Sequence, residues 1–289
     1  MEALLTIAVL TAVLALAWAW PRWRRNRALA QPFPVGYLRF LERNVRQYHG
    51  MPGAQQAELR QLVQRFLLEK KFIGCAGVEI TDEMRVTIAG HACLLLMGRP
   101  TKVYRELHSV LVYPGAFLVP RKNVDGAGVV TEERQDLLGE SWGDGRVILS
   151  WDHVPRAGNE APLGQNVVLH EFAHQLDSES GSNNGAPWLG DPQRYKRWAE
   201  VLGREFEDLR AAAWYGQHGV LDHYGASSPA EFFAVATEAF FEQPYRVAAG
   251  YPELFDEFQG YYRVDPRKWI APPFEQEPQP GRMVYGQWQ

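Results

Sequence analysis

The chain has 289 residues, of which 46% are apolar and 22% charged, enough to bury one substantial core. A formal net charge of −4, with none of the sequence patterns that read bases or phosphates, argues against a nucleic-acid partner. Cys75 and Cys93 are the only cysteines, too few for a disulfide scaffold and placed in apolar stretches where a small buried thiol is the ordinary reading.

Ala3 to Trp20 is an uncharged, almost wholly apolar run of 18 residues. At about 1.5 Å per helical residue, that length just reaches across a bilayer. Trp18, Trp20 and Trp23 suit the interface, and Arg22, Arg24, Arg25 and Arg27 follow at once. Lysine and arginine mark the cytoplasmic side, so the expectation is a single-pass transmembrane anchor over residues 1–21 in the cytoplasmic membrane, with the body facing the cytoplasm. A cleaved signal peptide is the rival, since Ala28-Leu29-Ala30 imitates a cleavage site, but its positive charges should precede the apolar run.

Residues 22–34 read as a basic, proline-containing linker and residues 35–268 as the folded domain. Val35 to Tyr48 carries Leu38, Leu41 and Val45 at helical spacing, and Gln55 to Lys71 repeats the pattern with Leu59, Leu62, Val63, Phe66 and Leu67. Thr81, followed by Asp82 and Glu83, predicts a capped helix running through Ile88 and Ala92 to Leu96. His91 lies within it and reads as a hydrogen-bonded core residue rather than a ligand. Ser109–Tyr113 and Phe117–Val119 flank Pro114-Gly115, and Arg146–Trp151 follows a glycine turn; these are short strands of a small sheet. Val147 to Trp151 fits two roles equally, a cleft edge that pairs with an extended substrate or an ordinary interior strand. Arg156 to Gln165 is a polar loop suited to a cleft rim.

Val167 to Asp177 follows, an apolar run carrying His170-Glu171-Phe172-Ala173-His174. Residues four apart on a helix differ by about 40° around its axis, so the two imidazoles present to one point in space. Glu171, about 100° from His170, stands beside such a point and is a candidate general base. Val168, Leu169, Phe172, Ala173 and Leu176 make most of the remaining circumference apolar, so the helix is buried and its polar triplet needs a reason. The spacing predicts a zinc site. Residues 178–185 read as a loop, and Asp191-Pro192 opens a packing helix to about Ala213.

A catalytic zinc takes three protein ligands and keeps one position open. Astacin-like and matrix-protease-like enzymes place a glycine three residues after the second histidine and a third histidine six after it; Asp177 and Ser180 stand there instead. The other common solution is a glutamate from a later helix, and Ser228 to Phe241 supplies two, Glu231 and Glu238, on one face of an apolar segment. The residues alone leave several roles open. Ser228-Pro229-Ala230-Glu231 is also a capping box, so Glu231 could close the helix end. Glu238 or Asp177 could orient a histidine from behind. His218 and His223 are nearby loop histidines.

Two blocks, His170 to Asp177 and Tyr224 to Ala234, resemble the Mlc titration factor A family of bacterial zinc peptidases and are similar to the catalytic domain of anthrax lethal factor. Further likeness runs through Ala92 to Leu95, Leu111 to Pro114 and Val147 to Trp151, covering most of residues 35–268. The resemblance implies Glu231 as third ligand, Tyr224 facing the active site, and a possible partner that is a glucose-responsive transcriptional repressor. The expected fold is α+β, a mainly helical zincin-like metallopeptidase domain with a small β-sheet, preceded by the transmembrane helix. The expected function is zinc-dependent cleavage of a peptide or protein substrate. One Zn²⁺ is held by His170, His174 and Glu231, Glu171 is the base, and Tyr224 is the oxyanion donor. A zinc-containing binding protein that sequesters a regulator is the alternative, and Glu171 argues against it. Residues 269–289 read as a Pro/Gln-rich tail.

Overall fold

The structure, a computed structural model, describes residues 2–99, 103–115, 117–124, 130–137, 139–142, 145–159 and 164–272. The first helix, α1 (Glu2–Leu29), is one 28-residue element in which the apolar run continues without a break into the arginine segment. Its last turns dock on α3 (Gly53–Glu69), where Arg25 Nη1 lies 3.6 Å from Glu69 Oε1 and Gln64 Nε2 donates to Ala28 O at 3.0 Å. Residues 22–29 of the expected linker thus continue the helix, and its end attaches to the body.

Among the described residues no helix is long and apolar enough to cross a membrane. This corrects the expected fold class by removing its transmembrane helix. It also overturns the single-pass placement in the cytoplasmic membrane with the catalytic domain facing the cytoplasm, and leaves the membrane as a partner through that helix without support. The arginines read as a flank are part of the helix itself, and its end is committed to packing on α3.

The body is mainly helical around a small sheet. After α2 (Val35–Asn44) and α3 come β1 (Lys71–Gly74) and α4 (Asp82–Leu94), the latter opened by Thr81, whose Oγ1 accepts from Met84 N at 3.2 Å. The main sheet has the order β1-β2-β6-β5, with β2 (Ser109–Tyr113), β5 (Gly139–Trp142) and β6 (Arg146–Ser150). β1, β2 and β6 run parallel and β5 pairs antiparallel with β6. β6 is thus interior and β5 holds the edge, which decides between the two roles open to Val147–Trp151. Burial of Val147 and Leu149 together with Ile148 fits a strand covered on both faces. β3 (Phe117–Val124) and β4 (Val130–Leu137) form a separate antiparallel ribbon, so the strand at Phe117 does not pair with Ser109–Tyr113.

The second half is helical: α5 (Val167–Asp177), α6 (Pro192–Trp214), α7 (Pro229–Glu242), α8 (Pro244–Gly250) and α9 (Pro252–Tyr262). Trp198 of α6 stacks on Phe258 of α9 with centroids 5.5 Å apart, and Phe233 of α7 closes on both. A second aromatic group, Phe66 and Tyr104, packs against Phe172 of α5 at 5.7 and 4.8 Å. The stretch after α9 is tied back by Trp269, buried and donating to Gln55 Oε1 at 2.7 Å. The rest of the expected tail, from residue 273, lies outside the described residues.

Candidate metal centre

Asn166 opens α5: its Oδ1 accepts from Val168 N and Leu169 N, each at 3.2 Å. Ser228 opens α7, its Oγ accepting from Glu231 N at 3.2 Å, with Pro229 in the first turn. The cap read from the sequence is therefore present, yet it uses only the backbone of Glu231. The carboxylate turns to α5, with Oε2 2.9 Å from His170 Nε2 and 3.3 Å from His174 Nε2. The two imidazole Nε2 atoms are themselves 3.3 Å apart. Donors held about 2.0–2.1 Å from a tetrahedral zinc stand roughly 3.3 Å from one another; two sides of this triangle have that length and the His170–Glu231 side is shorter, so the three donors already converge on one point. His170, His174 and Glu231 are the group that could hold a metal among the described residues.

Glu238 sits behind this triangle rather than in it. Its Oε1 lies 2.8 Å from His170 Nδ1, and its other oxygen accepts the backbone N–H of Asn166. With Nδ1–H directed at Glu238, His170 would be left free to turn its Nε2 lone pair to an ion held beside Glu231. The amide of Asn166 is oriented unambiguously, because its oxygen serves the helix N–H groups and its Nδ2 must donate, to Glu242 Oε1 at 2.9 Å and His91 Nδ1 at 3.2 Å. His91 then donates from Nε2 to Pro155 O at 3.1 Å, a buried core histidine. Asp177 takes no part in this chain; its Oδ2 accepts Gly185 N at 2.8 Å and holds the following loop. Sequence reasoning missed Asn166, although an asparagine directly before an apolar periodic run is a cap signal.

The electrostatics are those of a cation site. Burial works against a charged His170, but Glu231 and Glu238, with Glu171 adding its field, raise its pKa well above that of free imidazole. Burial likewise opposes ionisation of Glu231, yet its bonds to His170 and His174 hold it far below the usual carboxylate range. Burial pushes Glu238 up, only partly offset by His170. Glu171 is 5% exposed on the same helix.

Tyr224 approaches from the solvent side, on a 3₁₀ turn (His223–Ala226) capped by Asp222, whose Oδ1 accepts Tyr224 N at 2.8 Å. Its ring centroid is 5.8 Å from that of His170, tilted by 40°, and the residue is 49% exposed. His218 and His223 instead stack on each other at 5.0 Å, with His223 Nε2 donating to Gln217 O at 2.8 Å.

A family profile described as "Glucose-regulated metallo-peptidase M90" matches residues 20–263. A Synechocystis protein named only as uncharacterised is 35% identical over 266 residues, covering 91% of this chain and 97% of its own. Proteins named Mlc titration factor A are similar as well. The one from Klebsiella pneumoniae subsp. pneumoniae is 34% identical over 226 residues, 75% of this chain and 82% of its own. The one from Escherichia coli O139:H28 is 33% identical over 222 residues, 73% and 80%.

Proposed function

The chain belongs to the glucose-regulated metallo-peptidase M90 family, and on that premise we propose that it is a zinc-dependent peptidase whose ion is held by His170, His174 and Glu231. The observation that carries this reading is the triangle of two Nε2 atoms and one carboxylate oxygen, with Glu238 behind His170. Zinc there supplies a Lewis acid that brings the pKa of water toward neutrality and polarises a peptide carbonyl. Glu171, buried beside His170, takes the proton of the attacking water and hands it to the leaving amine. Tyr224, at the solvent edge, donates its phenolic O–H to the oxyanion growing on the carbonyl. β5, the edge strand lying against α5, offers its outer backbone to an extended peptide. Residues 35–268 then form a zincin-like domain.

The test combines metal analysis with chelator-sensitive cleavage of short chromogenic peptides. Glu171→Gln should keep the metal and slow turnover by about 10²–10⁴-fold, while Tyr224→Phe should lower kcat with metal content unchanged. Wild-type protein that binds zinc but cleaves nothing, or an active Glu171→Gln, would overturn the assignment.

A second reading rests on the relatives called Mlc titration factor A, a name that describes titration of Mlc. By that likeness a transcriptional regulator is a partner of this chain, held with little or no turnover. Regulator binding that survives in Glu171→Gln while peptide cleavage is absent even in the wild type would favour it.

A further inference from the structure

Away from the metal centre a cleft of 470 Å³ lies where the end of α1 meets the end of α3 and the loop carrying Val103 and Arg105. Its wall presents Arg25, Arg65 and Lys70 against one carboxylate, Glu69, with Arg105 beside them and 3.7 Å from Glu106. That is a concentrated positive field on a chain whose net charge is −4. Glu69 is shared loosely between two of the cations, 3.6 Å from Arg25 Nη1 and 3.9 Å from Arg65 Nε, so it satisfies neither guanidinium with a two-pronged bond.

Lys70 is the unusual member. It is 8% exposed, and its Nζ donates to Tyr104 O at 2.5 Å and Leu107 O at 2.8 Å. An ammonium has three N–H groups, so two carbonyls leave one for the cleft it lines. A surface cluster of arginines would need no such buried, fixed cation. The mount is rigid: Tyr104 holds a left-handed backbone at φ 41°, donates from its phenol to Ala92 O at 2.6 Å, and packs its ring on Phe172.

We propose that this cleft binds a phosphorylated small molecule, its phosphate taken by Arg25, Arg65 and the remaining N–H of Lys70. Guanidinium forks match the oxygens of a phosphate, and Arg25, Arg65 and Lys70 against Glu69 suit a dianion better than a carboxylate monoanion. The volume exceeds that of phosphate alone, leaving room for an attached organic group. The inference does not depend on the peptidase reading.

The experiment is titration calorimetry of the zinc-loaded full chain with inorganic phosphate and with pyrophosphate, at about 0.15 M salt to screen diffuse attraction. Acetate is the monoanion control. Saturable binding of one phosphate or pyrophosphate per chain is expected, with acetate at least tenfold weaker. Arg25→Gln and Arg65→Gln, both on exposed side chains, should each weaken binding by about tenfold and leave zinc content unchanged. Absence of saturable binding overturns the proposal. So does binding undiminished in the two variants, which would assign the anion to the metal, and so does acetate binding as tightly as phosphate.

Discussion

Glu231 carries two loads at once: its backbone N–H closes onto Ser228 and its carboxylate lies between two imidazoles. Glu238, seven positions on, meets only the far nitrogen of His170 and the backbone of Asn166. The two glutamates should therefore fail differently. Glu231→Ala removes one of three donors and should abolish stoichiometric metal binding. Glu238→Ala removes an orienting partner and should weaken affinity by about 10–100-fold. Competition against a chromogenic chelator measures both, and the reverse ranking would make Glu238 the ligand. The carboxylates that raise His170 also set the sign of the pH dependence. Proton and metal compete for the same imidazole, so affinity should fall as pH is lowered from about 8 to about 6 and recover on return.

At the scale of elements, the pairing of His170 with His174 was legible because helical period alone fixes it. Which of Glu231 and Glu238 meets both imidazoles was not legible from period, since both lie on one face of α7; the crossing of α7 over α5 brings Glu231 beside His170 and His174 and leaves Glu238 behind His170. Val147-Ile148-Leu149 reads as a strand, but its interior position depends on β5, where Gly139-Glu140-Ser141-Trp142 has no apolar alternation to betray it. The arginines after Trp20 read as a membrane flank because nothing local announces that Glu69 and Gln64 receive the helix end. The crossing also rests on a loop. Gly185 has φ 77°, its N–H goes to Asp177, its carbonyl accepts from Trp198 Nε1 at 2.8 Å, and an added Cβ would meet Pro229 O at 2.3 Å. Gly185→Ala should cost about 1–3 kcal/mol in denaturant unfolding and weaken metal binding by displacing the start of α7. Gly181, at φ 96° with open space around it, is the control. Its replacement by alanine should cost backbone strain and leave metal affinity alone.

For the whole molecule, the metal centre is a polar seam through the core. His174, Glu171, Glu238, Asn166 and His91 are all buried, between an aromatic group around Trp198 and another around Phe172. Burying that many polar groups is unfavourable unless each is bonded, and on the reading proposed above a cation between His170, His174 and Glu231 would add bonds at the centre of the seam. Metal binding therefore belongs to the folding free energy. At a free concentration a hundred times Kd, a ligand confined to the folded state adds about 2.7 kcal/mol. For a chain of this size that raises Tm by roughly 5–10 °C. The shift should vanish in Glu231→Ala and persist in full in Glu171→Gln, because the base neighbours the ion without holding it. A melting curve with and without zinc thus separates ligand from base without any substrate; loss of the shift in Glu171→Gln would place that carboxylate among the ligands.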